Sequence, residues 1–211
     1  MSKSLTCPNC GAQVKFSFAG SVQSVCVYCG SILVRKDVDL TKVGEISAWP
    51  QDSSPIQLGT EGVYKNKGFY VVGRIMYEYE HGGWNEWHLL FNDGTSGWLS
   101  DAQLDYAVST LFPGASNLPL HSAIKKGQQF KWGDQTFEVT SLTRANYRGV
   151  EGELPFEYWD KEKCLFADLR SQSGRFATID YSEEKPLVFV GDSVSFTDLK
   201  LRNVRVFEGW Q

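Results

Sequence analysis

Cysteine placement constrains this chain more than any other feature. Four of its five cysteines fall in the first 30 residues, as Cys7-Pro8-Asn9-Cys10-Gly11 and Cys26-Val27-Tyr28-Cys29-Gly30. The spacing, C-x2-C-x15-C-x2-C, lies within the window of a four-thiolate zinc site. Two residues between cysteines let one tight turn aim both sulfurs at one ion, and structural zinc takes four such ligands tetrahedrally. A glycine directly after each pair is free to take the positive φ that the turn requires. Two disulfides would instead suit an exported chain, and a redox C-x-x-C needs a thioredoxin-like βαβ pattern, which is absent. A rubredoxin-like iron centre would use the same knuckles. Spacing and ligand type favour zinc, with Cys7, Cys10, Cys26 and Cys29 as the metal ligands. Four thiolates leave no open coordination position for catalysis, and Cys164 is expected to be a buried apolar residue.

Between the pairs, Val14, Phe16 and Phe18 alternate with polar or small residues, and Ser31-Ile32-Leu33-Val34 follows the second pair. Both read as strands, which makes residues 1–36 a zinc ribbon. A unit this small cannot build a sufficient core, so metal binding supplies its folding free energy. The ribbon carries Lys3, Lys15, Arg35 and Lys36 with no acid, a local +4 on a chain whose net charge is −4. That leaves a nucleic-acid-binding ribbon as one reading, but four charges without a basic stripe fit a solvated face better. No apolar run approaches the ~18 residues of a spanning helix, and Met1–Thr6 lacks the apolar stretch of a signal peptide. The expected location is the cytoplasm.

Residues 37–56 lose periodicity and read as a linker, with Asp52-Ser53-Ser54-Pro55 as a turn signature. Within it Leu40, Val43, Ile46 and Trp49 recur in threes, as in a short helix or docking segment. Beyond it the chain resembles itself. Gly59, Phe69, Val71 and Tyr79 match Gly127, Phe137, Val139 and Tyr147 at an offset of 68, while Phe91 and Trp98 match Leu169 and Phe176 at 78. The change of offset implies about ten extra residues in the second copy, near Gly152–Trp159. Each copy shows short runs rich in aromatic and β-branched residues, separated by turns such as Asn92-Asp93-Gly94 and Gly133-Asp134. The expected fold is therefore mainly β: a four-cysteine zinc ribbon followed by two related small β-barrel or meander modules, 57–115 and 116–211, arising from tandem duplication.

Ser54-Pro55-Ile56-Gln57-Leu58-Gly59, with Tyr77-Glu78-Tyr79-Glu80, Trp84-Asn85-Glu86-Trp87, Leu89-Leu90-Phe91, Asp93-Gly94 and Gly97-Trp98-Leu99, resembles the bacterial family called domain of unknown function 4178. Members of that family often carry an N-terminal knuckle pair. They tend to be encoded near spermidine-synthase-like proteins and membrane-stress components, so the resemblance implies a role in such a system. It carries no catalytic residues over to this chain.

The richest polar and aromatic patch holds Glu78, Glu80, His81, Trp84, Glu86, Trp87, His88 and Trp98. Strand alternation sends Glu86 and His88 to one face and Trp87 and Leu89 to the other, so the patch divides into a polar outer face and an aromatic core. Histidine beside carboxylates can act as acid and base, but none of the usual catalytic motifs occurs. The reading that follows is a non-enzymatic zinc-binding adaptor with a protein partner. One alternative is an enzyme or a small-molecule site, polyamine-like, in the first β module, because acidic and aromatic walls suit cations.

Overall fold

The computed structural model describes residues 3–36, 39–46, 54–159 and 164–207. Among them the regular elements are strands, apart from one 3-10 turn at His121–Ala123. In the ribbon, β1 (Lys3–Thr6) pairs with β2 (Gln13–Phe16) around the first knuckle, and β3 (Gln23–Val25) pairs with β4 (Ser31–Lys36) around the second. Phe18 lies beyond the end of β2 rather than within it, and packs edge-on against His88 at 5.8 Å. In the stretch read as a linker, β5 (Asp39–Glu45) pairs antiparallel with β4. The threefold spacing is thus carried by a strand, not a helix. Leu40 leans on the ribbon core, while Val43 and Ile46 lean on a larger core shared with the body. Trp49 lies outside the described residues.

Two meanders follow. The first comprises β6 (Glu61–Tyr64), β7 (Lys67–Tyr79), β8 (Gly82–Phe91), β9 (Ser96–Ala102) and β10 (Asp105–Leu111). The second comprises β11 (Gln129–Trp132), β12 (Gln135–Leu154), β13 (Cys164–Ser171), β14 (Arg175–Asp180) and β15 (Leu187–Val194). They join at two antiparallel seams, β10 with β15 and β7 with β12. The circuit β7-β8-β9-β10-β15-β14-β13-β12 therefore closes into a ring of eight strands.

The meanders share fine detail. Gly59 N–H donates to Val71 O at 2.8 Å and Gly127 N–H to Val139 O at 2.8 Å, with both glycines near φ +80°. A β-bulge interrupts β7–β8 between Val71 and Gly73, and β12–β13 between Val139 and Ser141. The two bulges fall 68 residues apart. The second offset is corrected from 78 to 80: Val71 pairs with Leu89 and Val139 with Leu169, and the turn glycines Gly94 and Gly174 both have φ +82°. A slip of two residues preserves side-chain phase along a strand, so alternation could not detect it.

Each bulge reverses which face the odd-numbered residues occupy. Phe69 and Val71 enter a core with Trp87, Leu89, Leu99 and Val108, whereas Ile75 and Tyr77, past the bulge, face the interior between the meanders. Phe137 and Val139 likewise join a core with Leu169 and Ile179, whereas Ser141 and Thr143 face the shared interior. Each meander thus has its own core and lends its other face to the ring.

Glycines permit the close contacts at both seams. Gly152 (φ +64°) pairs with Gly73, and an added Cβ on either would sit about 2 Å from a carbonyl oxygen, at 2.2 Å from Val72 O and 2.0 Å from Glu153 O respectively. On the other seam a Cβ at Gly191 would lie 1.8 Å from Val108 O. Gly152→Ala is expected to lower stability by ~2–4 kcal/mol, from left-handed strain plus backbone collision. A urea unfolding midpoint unchanged from the parent protein would refute this account of the seam.

Candidate functional site

The two knuckles are near copies. Gly11 N–H donates to Cys7 O at 2.9 Å and Gly30 N–H to Cys26 O at 2.8 Å, with φ of +76° and +69° at the two glycines. These turns place the four sulfurs within 4.8 Å of one another. Cys7 and Cys29 Sγ are 3.8 Å apart and Cys10 and Cys26 Sγ 3.7 Å. A tetrahedral ion with bonds of ~2.3 Å separates its thiolates by roughly 3.8 Å. The set can therefore hold a metal ion. Hydrogen bonding from Ser31, 3.2 Å from Cys29 Sγ, holds the Cys29 thiol at about 6, while burial raises Cys26. A metal ion replaces the remaining thiol protons. Cys164 lies apart in the body core, fully buried, as the sequence reading expects.

A buried carboxylate fastens the ribbon to the ring. Glu153 accepts from Ser17 N–H at 2.8 and 3.0 Å, Phe18 N–H at 3.3 Å and Ser21 Oγ at 2.6 Å. Its neighbours in β12 pair with β3, and Gln23 exchanges two hydrogen bonds with the Tyr158 backbone. Nothing in local sequence pattern marks Glu153, because its partners lie more than 130 residues away.

Inside the ring lies a cavity of about 550 Å3, lined by residues from all eight strands. Trp84, Glu86 and Trp98 of the predicted patch line it, as do Asp168, Asp180, Phe166 and Phe156. Glu86 accepts from Trp84 Nε1 at 3.0 Å and from Ser100 Oγ at 2.8 Å. Asp168 accepts from Ser141 Oγ at 2.8 Å. Enclosure raises Glu86 to about 8 against these hydrogen bonds, and the Asp168 and Asp180 charges push the same way. Burial also raises Asp168. The aromatic walls interlock, with Tyr77 stacked on Trp84 at 4.8 Å and Trp98 on Phe156 at 5.7 Å.

The rest of the predicted patch lies elsewhere. Glu78 is exposed and pairs with Arg148 at 3.2 Å, and Glu80 is exposed. Trp87 is fully buried on the opposite face, under the Arg74 guanidinium at 4.5 Å. Glu86 and His88 share a face, but it turns inward, so the expected polar outer face is an enclosed one. His88 Nδ1 donates to the Glu153 carbonyl at 2.9 Å, not to a carboxylate, and burial lowers its pKa to about 4. Asp168 and Asp180 escaped the sequence reading. Corrected to an offset of 80, the register makes them the counterparts of His88 and Ser100.

These features define a mainly β protein with a cysteine cluster able to bind a metal and an acidic, aromatic-walled cavity. The chain belongs to the family described as domain of unknown function (DUF4178), which matches residues 57–196 and so covers both meanders. No curated protein and no solved structure matches the chain.

Two outcomes are expected. Stripping the metal with a chelator, or replacing Cys26 with Ser, should unfold the ribbon and expose the adjacent core, seen as increased hydrogen exchange in β3 and β4. Protection unchanged after metal removal would show that the ribbon folds without it. Secondly, the metal-loaded, ligand-free protein should lose stability as pH rises from 6.5 to 8. Glu86 and Asp168, with raised pKa values, bind protons more tightly when folded, whereas His88 acts oppositely only below about 6.5. The slope should be worth up to ~2 kcal/mol over this window, and Glu86→Gln should flatten it. A thermal melt with no pH slope, or one that the variant does not alter, would contradict the enclosed-acid assignment.

Proposed function

We propose that the chain is a non-enzymatic binding protein, in which a zinc-held ribbon braces a ring that receives a small ligand. The observation that carries this reading is the cavity of about 550 Å3 walled by all eight ring strands. Protein interiors pack closely, and cavities of ~300–1,000 Å3 with few polar groups on apolar walls are characteristic of ligand sites. Shared bulges and turn glycines support reading 57–115 and 116–211 as duplicated modules after a ribbon at 1–36. Two facts support a binding role over catalysis. Four thiolates leave a bound ion no vacant position, and His88 is fully buried with its Nδ1 committed to a backbone carbonyl. Zinc is the metal this reading assigns, and the cytoplasm, which keeps thiols reduced, is the compartment. No helix among the described residues is long and apolar enough to cross a membrane.

Metal analysis should return one zinc per chain; iron would instead give visible thiolate-to-iron absorption. For the cavity, a thermal-shift screen of small molecules on the full chain should yield stabilising compounds. Thr143 faces the cavity without contributing to its acids, so Thr143→Trp should abolish their effect. Stabilisation that persists in this variant would remove the cavity as the binding site.

An adaptor role is the second reading. It rests on Val27 and Tyr28 at the second knuckle, which are 67% and 74% exposed. Exposed aromatic residues favour protein contacts. Tyr28→Ser should then reduce recovery of one stoichiometric partner while leaving metal content unchanged. Equal recovery with and without Tyr28 would dispose of it.

A further inference from the structure

The cavity's lining narrows the class of its ligand, given the reading above that the cavity is the binding site. Four acids line it, Glu86, Asp105, Asp168 and Asp180, against one cation, Arg170. Arg170 is already engaged: its guanidinium donates to Ser193 Oγ and lies 4.9 Å from the Phe176 ring. Glu86 is held only by neutral donors, the Trp84 indole and the Ser100 hydroxyl. Among the described residues no ion pair reaches Glu86 or Asp168 within 4 Å; Arg170 acts on Asp168 from a greater distance, and both carboxyls are half-buried in the lining. With four acids against one cation, the lining suits an anion poorly.

The aromatic rings supply the complementary half. Trp84 and Phe166 meet edge-to-face at 5.5 Å, and Trp98 stands with Phe156 on the same cavity. Aromatic faces attract weakly hydrated organic cations, most strongly when water is excluded. A bare divalent ion is a poorer match. It needs about six oxygen ligands at ~2.0–2.6 Å, and most of this wall is carbon.

We propose that the ring cavity takes a small organic cation, an ammonium group on an apolar body, between the Glu86 and Asp168 carboxyls and the faces of Trp84, Trp98 and Phe166. Its arrival favours the ionised form of Glu86. The proton that enclosure holds on the empty site at neutral pH is then released to solvent.

Titration calorimetry on the full, metal-loaded chain tests this with choline and diaminobutane as cationic probes. Neopentyl alcohol serves as the neutral probe and butyrate as the anionic one. Measurements at pH 7 in two buffers of different ionisation heat count the protons exchanged. The expected result is binding of the cations alone, with proton release. Glu86→Gln and Asp168→Asn should each weaken binding about tenfold or more, and Glu86→Gln should abolish the proton release. Glu80→Gln, on the exposed surface, should change neither. Three results would overturn the inference. They are cation binding undetectable at millimolar concentration, cation binding unaltered by both acid variants, and cation binding matched by the alcohol or butyrate. In the third case, loss of binding in Thr143→Trp keeps the cavity as a site and removes only its preference for cations. Cation binding that survives Thr143→Trp places the ligand outside the ring and removes both readings.

Discussion

The antiparallel seam between β7 and β12 is the contact on which the rest of the structure depends. Without it the two meanders form an open, curled sheet joined only at β10–β15, and no closed interior exists. Its geometry is demanding because Gly73 and Gly152 face each other where the backbones approach too closely for any Cβ. The next residue along β12 is Glu153, whose carboxylate gathers the backbone of the ribbon. A single strand therefore closes the ring and fixes the ribbon beside it. Burying that carboxylate is tolerable only because four hydrogen bonds from three residues replace its water.

The ribbon and the ring are consequently coupled. Val25 and Ile32 of the ribbon share a core with Ile75, Tyr77, Trp98, Phe166 and Phe189, which also line the cavity. Phe18 and Trp98 pack against the His88 ring from different partners, at 5.8 and 5.1 Å. The ribbon, with its four-cysteine cluster, thus supports one wall of an interior to which none of the four cysteines contributes.

Much of this was legible in the sequence, and the reasons for the failures are physical. The knuckles were legible because metal chemistry demands particular residues at particular spacings within a few positions. The mainly β class followed from short aromatic and β-branched runs between turn residues. The reversal of face along β7 was not legible, because one bulge residue at Val72 shifts the phase of that strand and leaves its composition unchanged. Alternation could separate Glu86 from Trp87 but could not say that both faces are enclosed. The acids at Asp168 and Asp180 were hidden by a two-residue misalignment that kept every hydrophobic position in phase. β5 was hidden because its apolar spacing follows the contacts of an edge strand in a small sheet, which need not be periodic.

The halves share bulge positions and turn glycines, yet differ in the residues that face the cavity: Ser100 stands at the position of Asp180, and Trp98 at that of Thr178. Framework and lining thus occupy separate sets of positions along the same strands. Substitution in one set need not disturb the other, so the lining of such a ring can change while its framework is kept. The asymmetry also gives the interior a polarity. A guest with unlike ends would enter this near-symmetric cage in one preferred orientation.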